Sequence, residues 1–303
     1  MEKVFVIVGP TGVGKTSLSI DMAKQFHGEI ISGDSMQVYK EMSIGTAKIK
    51  EDEKEGIPHY LVDEYAFTDD YNVKVFQERS RTYMKEIKDK KKLPIICGGT
   101  GLYIKSTIYD YQFLEQQEDK AFMDFLNQRS DDELWSLLNI IDKKVCEVIH
   151  KNNRQRIVRA LYMAHMGEKK SDVIEKQEHQ PIYDAYIVGL TMQRDKLYER
   201  INQRVDQMME EGLLDEMKKL VSLHENVWEL QSFQGIGYKE WKPYFEGYAS
   251  VEECVEKIKK NSRNFAKRQY TWFKNQMNVH WYDVSEEGYK EQIKNDIISW
   301  LGE

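Results

Sequence analysis

An α/β fold, with a parallel sheet core flanked by helices and an all-helical insertion, is predicted by three observations. Apolar, β-prone runs end repeatedly in glycine-bearing loops. The loop after the first run carries a phosphate-gripping pattern. Between about Tyr111 and Gln180 the sequence changes to helical periodicity with few glycines. Runs without polar alternation suit strands covered on both faces, and loops at the carboxyl ends of such strands are where open parallel sheets hold their ligands.

Val4 to Val8 is an unbroken β-prone run, and Thr16 to Phe26 follows with Leu18, Met22 and Phe26 at helical spacing. Glu29 to Ser32 reads as a second strand ending in Gly33-Asp34-Ser35. Val73 to Lys90 reads as a crossover helix, and Leu93 to Cys97 as a strand ending in Gly98-Gly99-Thr100-Gly101. The helical stretch is first acid-rich (Glu115, Glu118, Asp119, Asp124, Asp131, Asp132, Glu133) and later basic. Tyr186 to Leu190 reads as a further strand, and from Arg194 onward helices dominate, broken near Gly235-Ile236-Gly237 and Pro243. The pattern assigns residues 1–112 and 186–303 to a discontinuous α/β core and 113–185 to the helical insertion.

Composition bounds the function. A chain of 303 residues with 41% hydrophobic content can bury a sizeable core, and its net charge of −7 argues against nucleic acid held by the whole surface while allowing basic patches. Cys97, Cys146 and Cys254 fall in no metal-ligand spacing, which excludes a cysteine-held zinc and suits a reducing compartment. Val4 to Val8 lacks the basic flank of a signal peptide, and no apolar stretch approaches the roughly 20 residues of a membrane helix. A cytoplasmic protein without a membrane partner is expected.

Gly9-Pro10-Thr11-Gly12-Val13-Gly14-Lys15-Thr16 matches G-x-x-x-x-G-K-[ST], with the required strand before it and helix after it. Such a loop aims backbone N–H groups and a helix N-terminus at phosphate oxygens, Lys15 neutralises charge, and the Thr16 hydroxyl can ligate Mg²⁺. The core is therefore P-loop NTPase-like. Nucleotide hydrolases usually add a strand ending in Asp to hold the metal. Here Leu93 to Cys97 ends in Gly98-Gly99, which weakens an ATPase or GTPase reading and leaves a small-molecule kinase as an alternative. A nucleotide-controlled RNA-binding module is a third reading, and it leaves Asp34 unexplained. Asp34 and Gln37 follow the second strand, where the acid could deprotonate a nucleophile and the amide read a base edge; an Asp there is more often a plain helix cap.

Together with Gly9 to Thr16, the segments Asp34-Ser35-Met36-Gln37-Val38-Tyr39, Ile57-Pro58-His59-Tyr60-Leu61 and Gly98-Gly99-Thr100-Gly101-Leu102-Tyr103 resemble the tRNA dimethylallyltransferases, also called tRNA isopentenyltransferases. Gln155-Arg156-Ile157-Val158-Arg159-Ala160-Leu161, Ile236-Gly237-Tyr238 and Lys267-Arg268-Gln269-Tyr270-Thr271-Trp272 extend the resemblance in family order over nearly the whole chain. Its length, without a zinc-finger tail, looks like the bacterial branch. Tyr162 and Lys151 depart from the pattern, which has Glu after Arg-Ala-Leu and commonly proline at the second position.

The resemblance implies transfer of a dimethylallyl group from dimethylallyl diphosphate to N6 of adenine 37 in tRNAs reading codons that begin with U. Catalysis would fall to Asp34, accepting the N6 proton, to Thr100, positioning the diphosphate or the reacting atoms, and to Lys15. The diphosphate would lie against Gly9, Pro10, Thr11, Gly12, Val13, Gly14, Lys15 and Thr16, with Mg²⁺ on Thr16 and an arginine clamp from Arg200 or Arg204. A leaving diphosphate in place of a transferred phosphoryl would explain the missing strand-end Asp.

The acceptor adenine must be extruded from a stacked anticodon loop, so a wrapping domain is expected. The insertion offers clustered Arg154, Gln155, Arg156 and Arg159, although paired arginines on a helix are often a solvated face. Lys257 to His280 carries seven lysines and arginines and no acid, interleaved with Phe265, Tyr270, Trp272 and Phe273. Cations there suit an RNA backbone, whereas the aromatics at helical spacing suit the core. The residues assigned to tRNA are Asp34, Ser35, Met36, Gln37, Gln155, Arg156, Arg159, Lys267 and Arg268, with the anticodon stem-loop as the partner region and a monomer as the acting form. His59, after Ile-Pro in a loop, is read as structural.

Overall fold

The computed structural model describes residues 1–113, 119–176 and 180–302; Glu115 and Glu118 of the acid-rich stretch lie outside them. In chain order the core begins β1 (Lys3–Val8), α1 (Lys15–Gln25), β2 (Gly28–Ser32), β3 (His59–Tyr60), α2 (Val73–Asp89), β4 (Leu93–Gly98) and α3 (Gly101–Ile108). Four insertion helices come next: α4 (Lys120–Asn127), α5 (Asp131–Ile141), α6 (Arg154–His165) and α7 (Lys170–Lys176). The core resumes with β5 (Asp184–Thr191), α8 (Arg194–Glu210), α9 (Leu213–Leu223), α10 (Lys242–Phe245), α11 (Val251–Gln276), β6 (His280–Asp283) and α12 (Tyr289–Leu301).

The six strands form one parallel sheet in the order β3-β2-β4-β1-β5-β6. Alternation along β1 shows why the run is apolar throughout. Val4, Val6 and Val8 pack into one core with Tyr39, Phe76, Tyr238 and Phe273, while Phe5 and Ile7 pack into a second with Leu18, Ile95 and Ile201. Both faces are thus covered, and each buried aliphatic side chain contributes roughly 1.5–3 kcal/mol. β1 and β4 are central neighbours, with Val8 opposite Gly98, so the loops after both strands open at the same edge of the sheet. β2 lies on the other side of β4, with Ser32 opposite Cys97, which brings Gly33-Asp34-Ser35 to that edge too.

The expected strands and helices are present, and two edge strands, β3 and β6, were not anticipated. The chain divides into Met1–Tyr109 with Pro181–Glu303, and Asp110–Gln180. These limits correct the boundaries 112/113 and 185/186 by a few residues, because Ile182 N–H already bonds Ile108 O and β5 starts at Asp184. The helical unit has its own core of Leu126, Leu134, Leu138, Val145, Ile157 and Leu161. Ser130 and Glu133 close a capping box at the start of α5. Among the described residues no helix is long and apolar enough to cross a membrane.

Candidate active site

The phosphate-loop glycines Gly9, Gly12 and Gly14 all adopt positive φ (147°, 81° and 103°), which lets the chain turn tightly into α1. Lys15 Nζ folds back over the loop and donates to Gly9 O (2.9 Å) and Pro10 O (2.8 Å). Burial pulls the Lys15 ammonium down to about 8; nearby Arg204 adds to this, while Cys97 and Asp34 oppose it. Thr16 is exposed at the first turn of α1.

At the end of β2, Asp34 Oδ1 accepts from Met36 N–H (2.8 Å) and Gln37 N–H (3.4 Å), so the turn-capping role is real. The carboxylate nonetheless borders two adjoining cavities of about 400 and 840 Å³. Thr100 Oγ1 accepts from Ser35 N–H (3.2 Å), and Thr100 N–H donates to Gly33 O (3.1 Å), which locks the β2 and β4 loops together.

The smaller cavity has apolar walls, from Met36, Tyr39, Tyr103, Ile201, Val205, Ile236 and Ile258, and also takes in Ser35, Thr100, Lys239 and Arg268. The larger one is lined by Gly12, Gly14, Lys15, Thr16, Lys48, Lys50 and Arg200, and also by Glu51, Glu53, Asp63 and Glu211. Thr11, Asp34, Thr46, Ala47, Arg204, Met208 and Phe265 border both. The two candidate arginines therefore separate. Arg204 is half-buried at the junction and donates to Ala47 O (3.2 Å), whereas Arg200 is exposed and lines only the larger cavity. Burial lowers the Arg204 guanidinium below its ordinary value, with Asp34 partly restoring it.

Gln37 is engaged by the protein: its amide donates to Thr46 O (3.4 Å) and Ala47 O (3.3 Å) and accepts from Ser32 (3.2 Å). Lys267 and Arg268 are exposed on α11, and of the two Arg268 reaches a cavity. The aromatics of that helix divide, Phe265 lining both cavities and Phe273 buried in the core. In the helical unit Gln155, Arg156 and Arg159 are exposed on α6, but Arg154 is not part of a free cluster. Its guanidinium donates to Leu126 O, Asn127 O and Arg129 O and pairs with Asp131, closing the end of α4. Lys170 joins Arg156 and Arg159 instead, and its ammonium is lowered by burial and by both guanidiniums. Tyr162, which departs from the family pattern, accepts from Asp119 N–H (2.6 Å). His59 sits on β3 with Nδ1 against Ile57 O (2.7 Å), outside both cavities.

Gln269 was missed. Buried on α11, it accepts from Thr11 N–H (2.9 Å) and donates to Gly99 O (3.0 Å), tying the phosphate loop to the β4 loop. A Cβ at position 99 would stand 2.1 Å from the Gln269 amide, so the second glycine of Gly98-Gly99 serves this approach. Its signal was the helical spacing Ala266, Gln269, Phe273 on the buried face.

The sequence model of the IPP transferase family matches residues 37–276. The chain belongs to the IPP transferase family. A tRNA dimethylallyltransferase of Anoxybacillus flavithermus is 47% identical over 99% of this chain and 96% of the relative. The crystal structure of tRNA delta(2)-isopentenylpyrophosphate transferase from Staphylococcus epidermidis is 43% identical, covers 99% of both chains and superposes with a TM-score of 0.74. A eukaryotic dimethylallyltransferase acting on tRNA, 30% identical over 99% of this chain and 80% of that one, gives 0.85. None of these comparisons supports a small-molecule kinase. β4 ending in Gly98 without a carboxylate accords with relatives that are named for dimethylallyl and not phosphoryl transfer.

Proposed function

We propose that this chain transfers the dimethylallyl group of dimethylallyl diphosphate to N6 of adenine 37 in tRNAs reading codons that begin with U, giving N6-(dimethylallyl)adenosine and diphosphate. The observation that carries the reading is the junction of the two cavities. A compartment lined by the phosphate loop, Lys15, Lys48, Lys50 and Arg200, with Glu51, Glu53, Asp63 and Glu211 also on its wall, meets one with apolar walls, and Asp34 and Arg204 border both. The first suits a diphosphate, the second an isoprenyl chain beside a flipped base.

The N6 lone pair attacks C1, the C1–O bond breaks, and its electron pair leaves with the diphosphate. Asp34 takes the N6 proton. Thr100, bonded to the Ser35 amide, holds the β2 turn in register with the reacting atoms. Lys15, the loop amides and Arg204 stabilise the charge that gathers on the leaving group. The Thr16 hydroxyl, exposed at the wall of the larger cavity, would hold a Mg²⁺, which when bound would supply positive charge beside the leaving diphosphate. Arg268 at the apolar cavity, Lys267 beside it, and Arg156 with Arg159 on the helical unit supply phosphate contacts for the anticodon stem-loop.

The test is incubation with Mg²⁺, radiolabelled dimethylallyl diphosphate and an unmodified anticodon stem-loop bearing A36-A37-A38. Label in the RNA that vanishes when A37 is replaced supports the reading. Label independent of A37, or none, overturns it.

A further inference from the structure

Between β2 and β3 the chain makes an irregular excursion whose residues Thr46 and Ala47 wall both cavities. Just before them, three successive amides converge on one carboxylate from α9. Glu216 Oε2 accepts from Ser43 N–H (2.9 Å) and Ile44 N–H (2.8 Å), and Oε1 from Gly45 N–H (3.1 Å). The Tyr238 hydroxyl adds a fourth donor to Oε1 (2.8 Å). Successive N–H groups curled toward one point form an anion nest. Here the anion is an internal carboxylate held by three backbone amides and a tyrosine hydroxyl.

The nest fixes the path of the chain beyond Gly45. Ala47 has φ +47°, a left-handed conformation that costs a residue bearing Cβ energy and persists only where its surroundings dictate it. Its carbonyl, aimed by that conformation, accepts from Arg204 and from Gln37. Downstream, Lys48 Nζ is anchored on Tyr39 O (2.6 Å) and Asp63 (2.5 Å). The loop is thus pinned on both sides of Ala47, and the orientation of the Arg204 guanidinium depends on where the Ala47 carbonyl points.

We infer that Glu216 is a positioning residue for the diphosphate, acting at a distance by holding the 43–47 loop so that Ala47 O aims Arg204 at the leaving group. This rests on the reading of the phosphate-loop cavity as the diphosphate site.

The experiment is a double-mutant cycle of Glu216→Gln and Arg204→Ala, read by the dissociation constant of inorganic diphosphate and by KM for dimethylallyl diphosphate and for the stem-loop. Glu216→Gln should weaken diphosphate and raise KM for dimethylallyl diphosphate about tenfold, as expected for losing one charge-assisted hydrogen bond, with KM for RNA within about twofold. Against an Arg204→Ala background it should add almost nothing, because both act through one guanidinium. Tyr238→Phe removes one of the four donors without touching charge. It should give the same pattern at about two- to threefold, which covers failure of Glu216→Gln to fold. Loss confined to kcat with both KM values unchanged, or effects that multiply with Arg204→Ala, overturns the inference. If Arg204→Ala itself leaves diphosphate binding intact, the reading of the cavity falls as well; if it weakens binding while Glu216→Gln and Tyr238→Phe do not, only the inference falls.

Discussion

Two side chains carry separable demands at the site. Asp34 keeps one oxygen on the turn amides and borders both cavities, so Asp34→Ala should lower kcat by at least about 10²-fold while dimethylallyl diphosphate and RNA still bind, measured by single-turnover kinetics at saturating substrates. Near-normal turnover would remove Asp34 from the proton-accepting role. In the proposed reaction Lys15 holds the diphosphate as a cation, and burial brings its ammonium to about 8. A group with a lowered value loses its proton early as pH rises. The kcat/KM for dimethylallyl diphosphate should therefore fall above about pH 8, and Lys15→Arg should remove that alkaline limb even if it lowers the plateau. Of these residues, those of the phosphate loop were legible because their chemistry is local: eight consecutive positions specify the turn. Glu216 was not, because its carboxylate answers amides 171 to 173 positions away and nothing in its own helix marks it.

Among the secondary-structure elements, α11 shows how one helix serves two purposes. Its buried face carries Gln269 and Phe273 into the sheet's edge and core, while Lys267 and Arg268 face solvent. Lys267→Ala with Arg268→Ala should raise KM for the stem-loop and reduce the slope of log affinity against log salt by roughly 1 for each cation–phosphate pair removed, without changing diphosphate affinity. A salt slope equal to the parent's would exclude this face from RNA. β2 carries a different liability. Glu29, buried at its start, receives Lys92, Lys90 and Tyr60, and these bonds outweigh the cost of burial and pull its carboxyl down to about 2. A depressed carboxylate stabilises the fold above its ordinary value near 4.5 and loses that contribution as pH falls toward 2. Denaturant titrations from pH 6 to 2 should show Glu29→Gln losing about 2 kcal/mol at pH 6 and progressively less on acidification, the exposed lysine ends keeping the figure modest. The long apolar strands were legible from their runs. β3, two residues long, and β6, where Tyr282 alone is buried, were not, because pairing to a neighbour and not their own pattern makes them strands.

For the molecule as a whole, charge is distributed against the net value of −7. Arg156, Arg159 and Lys170 gather on the helical unit, and Lys267 and Arg268 on the core. Replacing Arg156 and Arg159 by alanine should weaken stem-loop binding several-fold and spare transfer at saturating RNA, a split that filter binding and turnover measured side by side will reveal. The insertion itself was legible as a change of periodicity. The role of Arg154 was not, since a basic run looks alike whether a guanidinium faces solvent or, as here, closes the carbonyls of a neighbouring helix.

The bond from Thr11 N–H to Gln269 spans 258 positions of chain. The phosphate loop is synthesised long before the helix that fastens it, so during translation it exists for most of its history without its buried partner. Loop closure over such separations is slow compared with forming a helix or a turn. Competence to hold diphosphate should consequently emerge late and all at once, when α11 docks, and not in proportion to the length of chain made.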